Sequence, residues 1–546
     1  MTAAKRNWKI DLLRFIFAIG ILVYHFSSQL PAIGGGIRLG LYANVGVEFF
    51  FVVSGYLLAQ KILTSKEEIG VFEIAKRKLF SFFWIWVIAI VLTVILRIAL
   101  GAREGYELFF GDLFLLYSFG MTDVNMEFGW YLSSMMILTV LLTPVLNKLK
   151  KRERLKQDFV YLLLFELFVV GHLYTNLKIT ALEDIMGILM KGNVRACAGM
   201  LLGVLLFIYR HYIKTPCEKP KAVFFKIWGM ILQIAAYLYL IIYMNNTESK
   251  KGIGEFLALS CMGIIVYYAF EAYGNNDKST SKAAAVLSGF CNCLGKLSLP
   301  VYLLHTVVKN TIVVVFQGMN PFKQLVLIIV FTVILSAAVL VLRYIFDHII
   351  SRIKKTEPPK SGKTFCAYYT ATAILAAVLC PIPIAVVDAN VKDTFAVVDN
   401  AMVYANKSSV VRCYTGTVLS EDLYIEDSAL LSDISFYTIT WNKKFEDDQQ
   451  IKFIVRNKET GEEVFTTTRK MSGFADAKIY TLIPDEMVEL TGDTWYTIEF
   501  IPTTSEKQEV MALMMTKVTK TPKGKAYING QATDEHISMK ILTQEQ

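Results

Sequence analysis

Trp8-Lys-Ile-Asp11-Leu-Leu-Arg14-Phe-Ile-Phe-Ala-Ile-Gly-Ile-Leu-Val-Tyr-His25 is long and apolar enough to cross a bilayer, yet it carries ionisable side chains where lipid penalises them. Lys5, Arg6 and Lys9 give it the basic flank of a secretory signal. Asp11 and Arg14 inside the apolar run, together with its length, argue against cleavage and for a helix of the mature protein. Similar runs recur along the chain. They predict eleven membrane-spanning helices near 8–28, 44–62, 79–100, 128–147, 158–175, 193–210, 222–244, 253–273, 294–316, 322–346 and 366–387. Composition agrees: 54% of the 546 residues are apolar and only 19% charged, with mean hydropathy +0.45, outside the range of an ordinary soluble protein.

Charge sets an orientation. Lys76, Arg77 and Lys78, the cluster from Lys148 to Lys156, Arg210 to Lys221, and Arg352 to Lys363 all fall on the side of the N-terminus when spans alternate. The positive-inside rule then puts the N-terminus in the cytoplasm and the C-terminal region outside. From Val391 onward there are 17 Lys and Arg against 24 Asp and Glu, and before it 39 against 23. The basic residues of the body sit in short loops rather than on a basic–aromatic surface, which excludes a nucleic-acid partner. Eight cysteines offer no disulfide framework, and Cys291-Asn-Cys293 lacks the partners of a metal site, so no metal is expected.

The region 391–546 alternates with period two in stretches such as Ile451–Arg456 and Thr494–Phe500, separated by turn signals at Glu459-Thr-Gly461 and Thr491-Gly-Asp493. It predicts an extracytoplasmic all-β, sandwich-like domain that acts as a binding or spacer module. Asp534-Glu-His536 reads as a solvated loop. The expected organisation is therefore a multi-pass α-helical membrane domain at 1–350, a linker with the eleventh span at 351–390, and the β domain at 391–546.

Within the first span, Arg14 and His25 are eleven residues apart. At 100° per residue they share one face, separated by about 16 Å along the axis. A cation toward the cytoplasm and a titratable base toward the outside suit a reaction whose two substrates arrive from opposite sides. The bland alternative has His25 capping the outer interface and Arg14 paired with Asp11. Glu48, in the first turn of the second span, lies at the depth of His25 and is expected to orient its imidazole. Gly46 and Gly55 suit close helix packing, and Ser54 is assigned no catalytic part.

Asp11-Leu-Leu-Arg14, ten residues, then His25, followed by Gly46-Val-Glu-Phe-Phe-Phe-Val-Val-Ser-Gly55, resembles the start of the acyltransferase-3 family. Leu297-Ser-Leu-Pro-Val-Tyr-Leu-Leu-His305 is similar to that family's late helix, and the likeness extends over about residues 8–346. The resemblance implies an O-acyltransferase of a bacterial plasma membrane, moving an acyl group, typically acetyl from cytoplasmic acetyl-CoA, to a hydroxyl of an extracytoplasmic carbohydrate or envelope polymer. It implies His25 as the catalytic base and Arg14 on the donor side. Lys76, Arg77 and Lys78 are placed to meet the phosphates of coenzyme A, while Arg195 and His305 are candidates for the acceptor. There are departures: Phe80 and Ser81 stand where the family often has a second Arg, Met135 stands in place of a family Glu, and the frequent C-terminal esterase-like partner is missing. A transporter or flippase of a lipid-linked saccharide or small metabolite is the alternative from another class, with a sensor ranked last. No inverted repeat with paired broken helices supports the transporter.

Overall fold

The computed structural model describes residues 7–30, 37–99, 108–119, 129–151, 155–173, 184–185, 189–213, 219–246, 252–274, 282–316, 319–353, 374, 394–400, 409–413, 415–440, 445, 448–474, 478–484, 486–503, 511–517 and 524–545. The chain divides into two compact units. One comprises Met1–Ser27, Gly36–Gln317 and Leu325–Pro383; the other comprises Ser28–Gly35, Gly318–Gln324 and Ile384–Gln546.

The first unit is helical: α1 (Trp8–Tyr24), α2 (Gly46–Leu63), α3 (Val71–Ala99), the short α4 (Leu108–Leu113), α5 (Gly129–Lys150), α6 (Leu155–His172), α7 (Lys191–Ile208), α8 (Lys219–Asn245), α9 (Ile253–Gly274), α10 (Lys282–Val315) and α11 (Pro321–Ile353). Among the described residues, nine helices are long and apolar enough to cross a membrane. Two of the eleven expected runs are not among these nine. The run 158–175 falls on α6, whose 18 residues include Lys156, Asp158 and Glu166 and which is not among the nine. The run 366–387, apart from Ile374, lies outside the described residues.

Helix α1 begins where Asn7 caps it, its side-chain oxygen accepting from the backbone N–H of Lys9 (3.1 Å) and Ile10 (3.4 Å). Its principal partner is α10. Asp11 nests against Gly295, where a Cβ would overlap the carboxyl, and His25 at the other end lies beside His305. The two helices therefore run parallel. The closest backbone approach joins α2 to α7. A Cβ on Gly55 would strike the carbonyl of Met200, and one on Gly203 would strike the carbonyl of Val52 and the amide of Tyr56. Small residues let two apolar helices meet where lipid supplies no hydrophobic drive of its own.

The second unit is built of strands. A six-stranded antiparallel sheet runs, in spatial order, Gln531–Thr533, Ala526–Ile528, Leu419–Ile425, Thr494–Pro502, Gln450–Asn457 and Glu463–Lys470. An eight-stranded sheet is organised around Ala429–Ile439, which pairs with Lys478–Leu482, Glu489–Leu490, Met511–Thr516 and Met539–Glu545. Apolar residues of both sheets form one core, with the ring of Phe436 lying 5.2 Å from those of Phe453 and Phe500. Both period-two stretches are strands, and both turn signals fold as turns: Gly461 has φ +74° and Asp493 φ +53°.

In the expected solvated loop at Asp534–His536, Asp534 and Glu535 form a bend, with Asp534 exposed, and the reading is corrected at His536. His536 begins a short strand and its Nδ1 lies 2.9 Å from Oε1 of the buried Glu421. That carboxylate also accepts from Asn400 Nδ2 (2.7 Å) and the Ile537 amide (2.7 Å). The hydrogen bond to Glu421 raises the His536 pKa above its usual range. A group whose folded pKa is raised stabilises fully below its unfolded value, about 6.5, and that contribution fades as pH climbs through the raised folded value. His536→Gln is expected to lower the thermal midpoint of the strand signal, read by circular dichroism, by about 3 °C near pH 5.5, for a bond worth roughly 1 kcal/mol. The deficit should shrink toward about pH 9; an equal deficit at both values would contradict the assignment.

Candidate active site

The helical unit holds an open-sided cavity of about 500 Å³ lined from α1, α2, α3, α5, α10 and α11. Four cationic side chains reach it: Arg14, Lys78, Lys296 and Arg343. Two acids stand close to them. Asp347 lines the same cavity and lies 3.8 Å from Arg343, and the buried Asp11 lies 3.9 Å from Arg14. Elsewhere the lining is aromatic, with Phe50, Tyr131 and Tyr302 packed ring to ring at 5.6–6.3 Å. Ser54 joins them, its hydroxyl 3.8 Å from the sulfur of Met135. Met135 thus places a buried thioether on the cavity wall.

Tyr302 connects this cavity to the histidines. Its ring centroid is 6.0 Å from that of His305, which is 5.0 Å from that of His25. His305 is fully buried, and its Nδ1 lies 2.6 Å from the Tyr302 carbonyl, which turns the imidazole within its own helix. His25 follows the last turn of α1, its backbone N–H on the Ile21 carbonyl at 3.1 Å. On α1 the cation and the histidine are eleven residues apart; on α10, Lys296 and His305 are nine apart, or about 14 Å. On these two parallel helices the cations therefore lie at one level and the imidazoles at the other, although nine residues, unlike eleven, turn the side chains to opposite faces.

The site residues expected from sequence separate into three groups. Arg14, His25 and His305 share this region. Of the basic triplet, Lys78 lines the cavity, whereas Lys76 and Arg77 are exposed and Arg77 pairs with Glu73 at 2.5 Å. Glu48 does not orient His25. Its Oε1 accepts from Arg195 Nε (2.8 Å) and Nη2 (2.6 Å), and the Arg195 guanidinium lies 5.0 Å from the Trp130 ring. Both partners are almost completely buried. A permanent guanidinium at the same depth is a stronger partner for a buried carboxylate than an imidazole. The pair ties α2 to α7 and puts Arg195 in a packing role. Lys296 and Arg343 were missed, although each sits within an apolar run, the signal that singled out Arg14.

The Trp130–Met135 segment also anchors its surroundings. Ser133 Oγ accepts from the Ser118 amide (3.2 Å), Ser134 Oγ lies 2.9 Å from Ser118 Oγ, and Asn193 Nδ2 donates to the Ser118 carbonyl at 2.8 Å. These bonds satisfy a segment buried between α4, α5 and α7.

No curated protein matches the sequence. A family model described as an acyltransferase domain matches residues 7–341, from the cap of α1 into α11, and so covers both histidines and the cavity lining as far as Leu340, with Arg343, Tyr344 and Asp347 just beyond it. With apolar helices of spanning length around that cavity, the chain belongs to the acyltransferase-3 family and is a multi-pass membrane acyltransferase.

Proposed function

We propose that the protein transfers an acyl group, acetyl in the first instance, from cytoplasmic acyl-CoA to a hydroxyl of an extracytoplasmic carbohydrate. The observation that carries this reading is the polarity of the site: a cavity with four cations, an aromatic stretch beyond them, and a histidine pair reached through Tyr302. Polyanionic phosphates match the cations, since charge-assisted bonds to Arg and Lys are the strong ones. The elongated, uncharged remainder of the donor suits Phe50, Tyr131 and Tyr302. In the transfer the acceptor oxygen attacks the thioester carbonyl, the C–S bond breaks, and the thiol leaves with the proton taken from the hydroxyl. His25 supplies the base that takes that proton, or receives the acyl group before passing it on. With the N-terminus in the cytoplasm, the cations face the donor side and the histidines the acceptor side.

Reconstituted protein given acetyl-CoA and envelope glycan should release free thiol and form alkali-labile acetate esters. Lys78→Met with Arg343→Met should raise the KM for acetyl-CoA at least about tenfold with little change in kcat, as loss of charge-assisted bonds predicts. With S-acetyl-pantetheine, which lacks the nucleotide phosphates, wild type and variant should converge. An equal penalty on both donors would remove the phosphate assignment.

A further inference from the structure

The strand unit carries a second candidate binding site on the six-stranded sheet. Residues of alternating register point away from its core: Asp422 and Tyr424 on one strand, and Trp495 and Thr497 on the next, with Tyr424 directly opposite Trp495 and Asp422 opposite Thr497. The rings of Tyr424 and Trp495 are 5.1 Å apart, and both are partly exposed, as is Tyr527. Between the aromatics lies a fixed polar centre. Asp422 is 4% exposed and accepts from Lys458 Nζ (2.6 Å), Tyr527 OH (2.9 Å) and Thr497 Oγ1 (3.0 Å). The ammonium of Lys458 in turn lies 5.8 Å from the Trp495 ring and 5.7 Å from that of Tyr527. A buried carboxylate is costly unless saturated with donors. This one uses its bonds to hold Lys458, Tyr527 and Thr497 in place.

The ion pairs on this face are matched. Asp422 is paired with Lys458, while Glu463 and Glu499 are paired with Arg456 and Lys452, all within 4 Å of a partner, and Asp493, whose carboxylate accepts from the Tyr424 hydroxyl, adds an acid beside the aromatic pair. A face whose cations Lys452, Arg456 and Lys458 are each paired with an acid has little attraction for a polyphosphate or an anionic lipid surface. A peptide adding as a strand needs an open sheet edge, and these groups lie on a face. What remains is a neutral, hydroxyl-rich ligand with apolar patches. A pyranose fits: its axial C–H hydrogens present a weakly positive face that complements the negative face of an aromatic ring, while its hydroxyls meet Lys458, Thr497 and Tyr527. We infer that the outer face of the six-stranded sheet, centred on Trp495, Tyr424 and the Asp422–Lys458 pair, binds a neutral saccharide chain. The inference shares only a ligand class with the proposed transfer reaction and stands without it.

The test uses the full chain in lipid nanodiscs with no acyl donor present, so that its failure says nothing against acyl transfer. The probes are hexasaccharides of glucose, mannose, galactose and N-acetylglucosamine, followed by saturation-transfer difference NMR. At least one should bind saturably, with the strongest transfer to ring C–H protons. Trp495→Ala should weaken that binding tenfold or more, whereas Trp495→Phe, which keeps a ring face, should stay within threefold. Where Trp495→Ala fails to fold, Tyr424→Ala provides the same reading from the opposite strand. No saturable signal from any probe, or undiminished binding in a folded Ala variant, overturns the inference.

Discussion

His25→Ala is expected to abolish acyl transfer while leaving the protein folded. General-base catalysis contributes about 10²–10⁴ in rate, and a route through an acyl-imidazole would lose everything with the imidazole. Truncation leaves the packing of α1 in place: Phe17 stacks on Phe49 at 4.5 Å, and Asp11 remains against Gly295. Ester content of the envelope glycans, compared at matched membrane abundance, reads the chemistry. Thiol release from acetyl-CoA by reconstituted protein reads the donor half alone. A variant that still consumes acetyl-CoA but forms no glycan ester would mark His25 as the residue that meets the acceptor. Unchanged esters with an altered distribution of a lipid-linked saccharide across the membrane would instead hand the site to transport.

Gly203→Leu and Gly55→Leu should yield no folded protein at all. At both positions the atoms that a new side chain would meet are backbone carbonyls and amides of the facing helix, which cannot rotate away as a side chain can. Separating α2 from α7 would also pull Glu48 from Arg195, leaving two uncompensated charges in the interior, a loss of about 3–5 kcal/mol. Combined with the overlap, the change exceeds the roughly 4 kcal/mol at which point substitutions become exceptional. Size-exclusion profiles of detergent-extracted protein should show aggregate only. Gly171→Ala on α6 is the matched control, since a Cβ there meets nothing within 4 Å, and it should elute as wild type.

Local properties of the sequence proved legible. The angular arithmetic that put Arg14 and His25 on one face needs only the period of a helix; Arg14 lines the cavity, and His25, one residue past α1, lies beside His305. Gly46 and Gly55 read as packing residues because small side chains among phenylalanines have few other uses, and Gly55 sits at the closest helix contact. The strands at 450–457 and 494–502 followed from alternation. What depends on distant partners was not legible. Glu48 and Arg195 are 147 residues apart, so depth in the membrane suggested an imidazole where a guanidinium stands. His536 finds Glu421 across 115 residues, which ties the end of an apparent loop to a buried carboxylate. Lys296 and Arg343 join Arg14 only because α10 and α11 return to the same cavity.

The pairing of α1 with α10 also imposes a schedule on biogenesis. Helix α1 leaves the ribosome early, yet the glycine that receives Asp11 is residue 295, and α2 awaits Gly199 and Gly203 of α7. At about 5–20 residues per second, α1 waits on the order of a quarter of a minute to a minute for its partner. Throughout that interval the carboxylate and guanidinium of its first turns have no α10 to shelter them. A nascent chain halted before α10 therefore carries Asp11 in a membrane helix without the glycine surface that buries it in the finished protein.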